Sequence, residues 1–187
     1  MQVSKKELRK KLLTERRGLD INYRLQKDIT IYNTLTELPL IAEAETVLTY
    51  VSTDIEVDTI LFIEAMLDCG KIVGVPKCEG KTMRFIEIGS LSDLQSGSFG
   101  ILEPKDGEEI TDFSGSVCIT PALAFNENGF RMGYGGGFYD RFLQNYTGIS
   151  IGVCYEDFIR EITTEEYDLP VDIVITEEKT RYTDITE

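Results

Sequence analysis

Residues 119–143 read Ile-Thr-Pro-Ala-Leu-Ala-Phe-Asn-Glu-Asn-Gly-Phe-Arg-Met-Gly-Tyr-Gly-Gly-Gly-Phe-Tyr-Asp-Arg-Phe-Leu, and this stretch decides how the chain folds. The apolar run Val117 to Thr120 stops at Pro121 and reads as a buried strand leaving a sheet. From Phe138 to Leu143 the aromatics and Leu return at helical spacing, with no glycine inside. Between them lies Gly133-Tyr134-Gly135-Gly136-Gly137, the densest glycine cluster in the chain. Glycine backbone can turn through positive φ and lie flush against a ligand. A glycine loop opening onto a helix start aims several free N–H groups at one point, which suits phosphate. A tight strand-to-helix turn would explain the glycines alone. However, Arg131, Tyr134, Tyr139, Asp140 and Arg141 crowd the same turn, and the connection exceeds the roughly 2–6 residues usual between strand and helix. The familiar phosphate templates fail. No Lys-Ser/Thr follows as in a Walker A loop, and Phe138 blocks a GxGxxG reading.

Outward from this stretch the pattern alternates strand and helix. Ser4-Lys5-Lys6-Glu7 is a capping box, so a helix should run from there to about Arg17. It carries Lys5, Lys6, Arg9, Lys10, Lys11, Arg16 and Arg17. By charge alone this basic helix reads as a solvated face. After Gly18 and Asp20 a second helix follows, with Ile21, Leu25, Ile29 and Tyr32 as its apolar stripe. Thr46 to Ser52 is a β-branched strand, a helix from about Asp58 to Cys69 closes on Gly70, and Ile72 to Pro76 is the next strand. Met83 to Ile88 alternates as a half-buried strand, Leu91 to Leu94 is a helical turn, and Gly97 to Pro104 reads as loop. Ile149 to Cys154 and Val171 to Thr176 are further strands, with fraying expected after Glu177. The rhythm predicts a single three-layer α/β domain over residues 1–187 with a central, mostly parallel sheet. Ligands in such sheets gather at the carboxyl ends of strands, where Glu56 and the glycine loop both fall.

Composition sets the bounds. The 187 residues are 42% hydrophobic and 28% charged, as in ordinary soluble globules. No stretch approaches the ~20 apolar residues that cross a bilayer, and the polar N-terminus has no signal-peptide core. A net charge of −14 disfavours nucleic acid and anionic membranes as partners. With no histidine, a Ser-His-Asp triad and imidazole metal sites are excluded. Cys69, Cys78, Cys118 and Cys154 are scattered without CxxC, which suits buried free thiols in a reducing cytoplasm.

The residues Pro121-Ala-Leu-Ala124-Phe125, then Gly129-Phe-Arg131-Met-Gly133-Tyr134-Gly135-Gly136-Gly137-Phe138-Tyr139-Asp140-Arg141, resemble the signature of the 5-formyltetrahydrofolate cyclo-ligase family, also called 5,10-methenyltetrahydrofolate synthetases. The resemblance runs from Lys5 to Glu177 and implies a fold like that of sugar-phosphate isomerases and CoA transferases. The implied reaction turns 5-formyltetrahydrofolate and ATP into 5,10-methenyltetrahydrofolate, ADP and phosphate.

The resemblance also assigns roles. Lys5, Arg9, Arg131, Gly133, Tyr134, Gly135, Gly136, Gly137, Phe138 and Tyr139 would bind ATP. Val51 and Glu56, with Tyr134, the three glycines 135–137 and Phe138, would bind the folate. Arg131, Tyr134 and Tyr139 would act at the reacting atoms. Asp140 and Asp168 would hold magnesium, the implied metal cofactor beside ATP as co-substrate. Read alone, Asp140 is a first-turn carboxylate, Glu56 a helix-start carboxylate and Asp168 a turn former before Pro170. The sequence departs from the pattern at Phe138 for Tyr, Lys77 for Arg, Tyr167 for His and Asn126 for Asp. The expected protein is a cytoplasmic monomer acting on small molecules, with no nucleic-acid or membrane partner. Two other readings stand beside it: a non-catalytic nucleotide- or folate-binding module, and another enzyme on the same scaffold.

Overall fold

The computed structural model describes residues 4–97 and 100–183. Its centre is a seven-stranded sheet. In chain order the elements are α1 (Lys5–Arg17), α2 (Ile21–Glu37), α3 (Pro39–Glu43), β1 (Thr46–Thr49), α4 (Ile60–Asp68), β2 (Ile72–Glu79), β3 (Thr82–Ile88), β4 (Leu94–Ser96) and β5 (Leu102–Pro104). They continue as β6 (Val117–Pro121), β7 (Ala124–Phe125), β8 (Arg131–Met132), α5 (Phe138–Leu143), β9 (Ile149–Val153), β10 (Ile173–Ile175) and β11 (Thr180–Tyr182). The sheet order is β11-β10-β9-β6-β1-β2-β3. Strands β10, β9, β6, β1 and β2 run parallel, and the edge strands β3 and β11 are antiparallel.

Alternation along the strands builds two cores. Val47 of β1, with Val117 and Ile119 of β6, faces a large cluster that includes Leu12, Ile31, Leu35, Phe62 and Ile63 from α1, α2 and α4. Leu48 and Cys118, one residue out of phase, face a smaller cluster with Phe85, Tyr139, Phe142 and Tyr146. A strand buried on both faces has no polar side to show, which is why β1 and β6 read as unbroken apolar runs. The result is three layers.

The order of strands reverses beside β1. After β1 the chain crosses to β2 on one side, and later β6 pairs on the other. The crevice beyond the carboxyl ends of β1 and β6 is a topological switch point, where open α/β sheets hold ligands. The loop after β1 carries Glu56, and the chain leaving β6 leads to the glycine loop.

Several local expectations need correction. Strand β1 ends at Thr49, because Tyr50 and its successors turn away into the Glu56 loop. Helix α4 starts at Ile60, after Asp58 Oδ1 accepts from Ile60 N at 2.8 Å. Part of the expected loop at 97–104 is β5, which pairs with β4; residues 98–99 lie outside the described residues. After Glu177 the chain pairs as β11 rather than fraying, as far as Thr183. The helix α2 stripe is reversed: Ile21, Leu25 and Ile29 are 68%, 49% and 53% exposed, while Ile31 and Leu35 are buried. Two apolar stripes overlap on that helix, and periodicity alone does not choose between them. All four cysteines are free, but Cys69 is exposed.

Candidate functional site

The glycine loop is held from two sides. Arg9 Nε donates to Gly133 O at 3.0 Å from α1. Arg141 Nη2 donates to Gly136 O at 2.9 Å and to Lys81 O at 2.8 Å, tying the loop to the β2–β3 turn. Gly135 has φ 99° and Gly137, the cap of α5, has φ 64°, both left-handed values where a Cβ is strained. Gly136 lies outside that region, so backbone strain applies at 135 and 137 only. A Cβ on Gly136 would instead stand 2.8 Å from the Phe138 ring. Helix α5 is a single short run of six residues, so the positive potential here comes mainly from side chains.

Those side chains are paired with acids. Lys5 Nζ lies 2.8 Å from Asp168 Oδ2 and 3.4 Å from Glu165 Oε2. Arg131, whose side chain is almost wholly buried, donates to Asp140 Oδ1 and, at 3.0 Å, to Leu169 O. Burial lowers the guanidinium pKa, and Asp140 opposes that shift. Thus Lys5 from α1 and Arg131 from β8 both reach the 165–169 loop, Lys5 pairing with Asp168 and Arg131 with Asp140.

On the other side of the crevice stands Glu56. Its Oε2 accepts from Thr53 N at 2.8 Å and Thr53 Oγ1 at 2.9 Å, and its Oε1 accepts from the Tyr134 hydroxyl at 3.0 Å. Desolvation and the Glu56 charge push the Tyr134 phenol up. Val51 is buried at the base of this loop. Tyr139 packs beside Leu48, Phe85 and Cys118, and its hydroxyl is buried without a hydrogen-bond partner. Burial raises that phenol well above its ordinary value. A buried hydroxyl with nothing to bond calls for a ligand or water.

The departures find simple roles. Asn126 Oδ1 accepts from Asn128 N at 3.0 Å and Phe130 N at 2.9 Å, a turn bond that Asp would make equally well. Phe138 lies under the Arg141 guanidinium, 5.2 Å from its ring centre. Lys77 Nζ donates to Lys105 O at 2.9 Å, and Tyr167 is 63% exposed.

The sequence reading missed Arg16, counted there among the solvated basic residues. It is 1% exposed and donates to Leu123 O at 3.0 Å and Ile55 O at 2.9 Å. The signal was its spacing: Arg16 falls one turn after the buried Leu12 on the inward face of α1.

Magnesium asks for hard oxygen donors. Asp140 and Asp168 carry oxygens of that kind, and each is ion-paired through a single one, to Arg131 and Lys5 respectively. Among the described residues no group of three or more acidic, cysteine or histidine side chains gathers to cage a metal. The donor set therefore fits an ion completed by phosphate oxygens and water.

A family model described as the 5-formyltetrahydrofolate cyclo-ligase family matches residues 1–177. The 5-formyltetrahydrofolate cyclo-ligase of Escherichia coli K12 is 35% identical over 150 residues, covering 75% of this chain and 82% of that protein. The mouse enzyme of the same name, from Mus musculus, is 24% identical over 191 residues, 94% of each chain. The NMR structure of Aquifex aeolicus 5,10-methenyltetrahydrofolate synthetase superposes with a TM-score of 0.86 at 31% identity, covering 98% of this chain and 94% of that one. A Mycoplasma pneumoniae 5,10-methenyltetrahydrofolate synthetase shares the fold, with a TM-score of 0.77 at 21% identity over 94% of this chain and 99% of that one.

Proposed function

The chain belongs to the 5-formyltetrahydrofolate cyclo-ligase family, and from that premise we propose a division of labour for the residues around the crevice. The protein is an ATP-dependent ligase that converts 5-formyltetrahydrofolate to 5,10-methenyltetrahydrofolate. The observation that carries the assignment of residues is the Tyr134–Glu56 hydrogen bond of 3.0 Å, which joins the glycine loop to the loop after β1. One ligand bound across that bond touches both loops.

In this reading the ATP triphosphate lies along the glycine loop, with Lys5, Arg9 and Arg131 offsetting its charge. Phe138 and Tyr139 flank it. The folate ring lies against Val51, Glu56 and Tyr134. The formyl oxygen attacks the γ-phosphorus, the bond to the bridging oxygen breaks and ADP departs. N10 then attacks the activated formyl carbon, the carbon–oxygen bond breaks, and inorganic phosphate leaves with the N10 proton as the ring closes. An amide oxygen is a weak nucleophile, so alignment must supply much of the acceleration. Phosphoryl transfer needs positioning and charge neutralisation more than a protein base, which suits a chain without histidine. The buried, unpaired Tyr139 hydroxyl is the donor this reading assigns to an oxygen that gains charge. Asp140 and Asp168 would hold magnesium, which when bound offsets phosphate charge.

The reading extends to the whole chain, 1–187, as one domain acting as a cytoplasmic monomer on small molecules. No helix among the described residues is long and apolar enough to cross a membrane. The net charge of −14 argues against nucleic-acid partners. The test is direct: protein, 5-formyltetrahydrofolate, ATP and magnesium should give the near-ultraviolet absorbance of the methenyl product. Ligand binding without that absorbance, with active enzyme as control, would sink the catalytic reading.

A further inference from the structure

The loop carrying Glu56 is held through its own backbone, one carbonyl after another. Arg24 Nη1 donates to Asp54 O, Arg16 Nη1 to Ile55 O at 2.9 Å, and Arg24 Nη2 to Glu56 O at 3.1 Å. The Tyr50 hydroxyl donates to Val57 O at 2.8 Å. Asp58 N donates to Asp28 Oδ1 at 3.2 Å, and the same oxygen accepts from the Tyr155 hydroxyl at 2.7 Å. Five successive residues are therefore fixed by side chains from α1, α2 and the strand ends, although they form no helix or strand.

Arg16 is an unusual choice for such a task. It is 1% exposed, and no carboxylate lies within ion-pair distance of it among the described residues. Its guanidinium sits over the Phe158 ring at 4.5 Å, and Nη2 has no hydrogen-bond partner. A buried cation without a counter-ion is costly. The planar fork nevertheless does what a neutral donor does not: it spans two loops at once, Ile55 O on one and Leu123 O on the other. Arg24 adds a second fork on the adjacent carbonyls.

We propose that Arg16 and Arg24 are positioning residues for the reaction: a double guanidinium clamp that sets Glu56 against Tyr134 before substrate arrives. The clamp rests on the reading of Glu56 as a folate ligand. It acts on the ring-binding half of the crevice rather than the phosphate half, because neither guanidinium donates a hydrogen bond to the glycine loop. The clamp assigns neither side chain a contact with substrate. Their effect passes through the carbonyls of residues 54–56 to the Glu56 carboxylate.

The experiment is a double-substitution cycle on the full-length enzyme, reading KM for each substrate separately and the melting midpoint. Arg24→Gln removes the more exposed fork and keeps a fold-compatible side chain; Arg16→Lys tests the buried one. Arg24→Gln should raise KM for 5-formyltetrahydrofolate about tenfold, with KM for ATP changed less than about twofold. In a Glu56→Gln background that increment should vanish, since the carboxylate it positions is gone. Arg16→Lys should shift the same KM in the same direction. Equal rises in both KM values, or an undiminished Arg24→Gln penalty in the Glu56→Gln background, would overturn the clamp while leaving Glu56 as a ligand. An unchanged folate KM in Glu56→Gln alone would overturn the Glu56 assignment and the clamp with it.

Discussion

The two walls of the crevice are built by opposite means. The glycine-loop wall is open: Gly135 and Gly136 are exposed, and the cations beside the loop are held by acids, Lys5 by Asp168 and Arg131 by Asp140. The Glu56 wall is closed: Glu56 is 6% exposed and its loop is pinned carbonyl by carbonyl from beneath. In the proposed division of labour, the difference matches what each wall would bind. A triphosphate brings several negative charges, and cations already paired with carboxylates can be shared with it without being left bare in the free enzyme. A flat, mostly neutral ring system brings few charges, so its wall must be rigid in advance and lose little freedom on binding.

The contrast can be broken most forcefully at Asp140. Asp140→Asn removes the proposed metal donor and the only ion-pair partner of the buried Arg131 among the described residues. Turnover should fall by roughly a hundredfold or more, with the fold retained in circular dichroism. Near-normal turnover at ordinary magnesium would remove Asp140 from the site. Next, Lys5→Ala or Arg9→Ala should raise KM for ATP by about tenfold, the worth of one charge-assisted contact, and move the folate KM much less. Equal weakening of both ligands would mean that the walls are not independent.

The glycines sharpen the comparison on a smaller scale. Gly135→Ala and Gly137→Ala should each lower stability by about 1–2 kcal/mol, because both positions have positive φ. Gly136→Ala carries no such strain, and its Cβ need only displace the Phe138 ring. It should weaken ATP or folate binding by more than it lowers the melting midpoint. An earlier melt with normal binding would make the loop a strained turn and nothing more.

The smallest effect is expected from pH near neutrality. With no histidine, no side chain of ordinary pKa titrates between about pH 6 and 8, so stability should be flat there. Above about pH 9 the sign is set by burial. Burial pushes the Cys154 thiol to about 12 and raises Cys118, Tyr50 and Tyr139 as well. These groups keep their protons when folded, while the unfolded chain releases them. The stability present below the unfolded pKa is therefore lost as pH rises toward the folded values. Denaturation midpoints across this range should be level and then fall; a slope between about pH 6 and 8 would contradict the account.

Much of the architecture was legible in local pattern. Ser4 and Glu7 announced α1, and the capping box is present as expected. The β-branched runs at Thr46, Val117 and Ile149 became parallel neighbours. Gly70, at φ 73°, closes α4 as its position implied. Of the candidate site, the contiguous motif from Arg131 to Asp140 was legible because it is written locally in glycines and the polar groups that flank them. The missed elements share a different property. Strand β5 is three residues long and exists only because β4 lies beside it. The α2 stripe was misread because burial depends on which face meets the sheet.

What the sequence determined by itself was thus the class of fold, the family and the glycine loop. These are properties of spacing and side-chain chemistry, carried within a few turns of chain. Only the tertiary structure decided that Tyr134 bonds Glu56 across 78 residues, that Lys5 meets Asp168 across 163, and that Arg16 is buried beneath the Glu56 loop. Each of those is a long-range contact. A basic residue on a basic helix has the same local sequence whether it faces water or the core, and the sheet packed against that helix settles which it does.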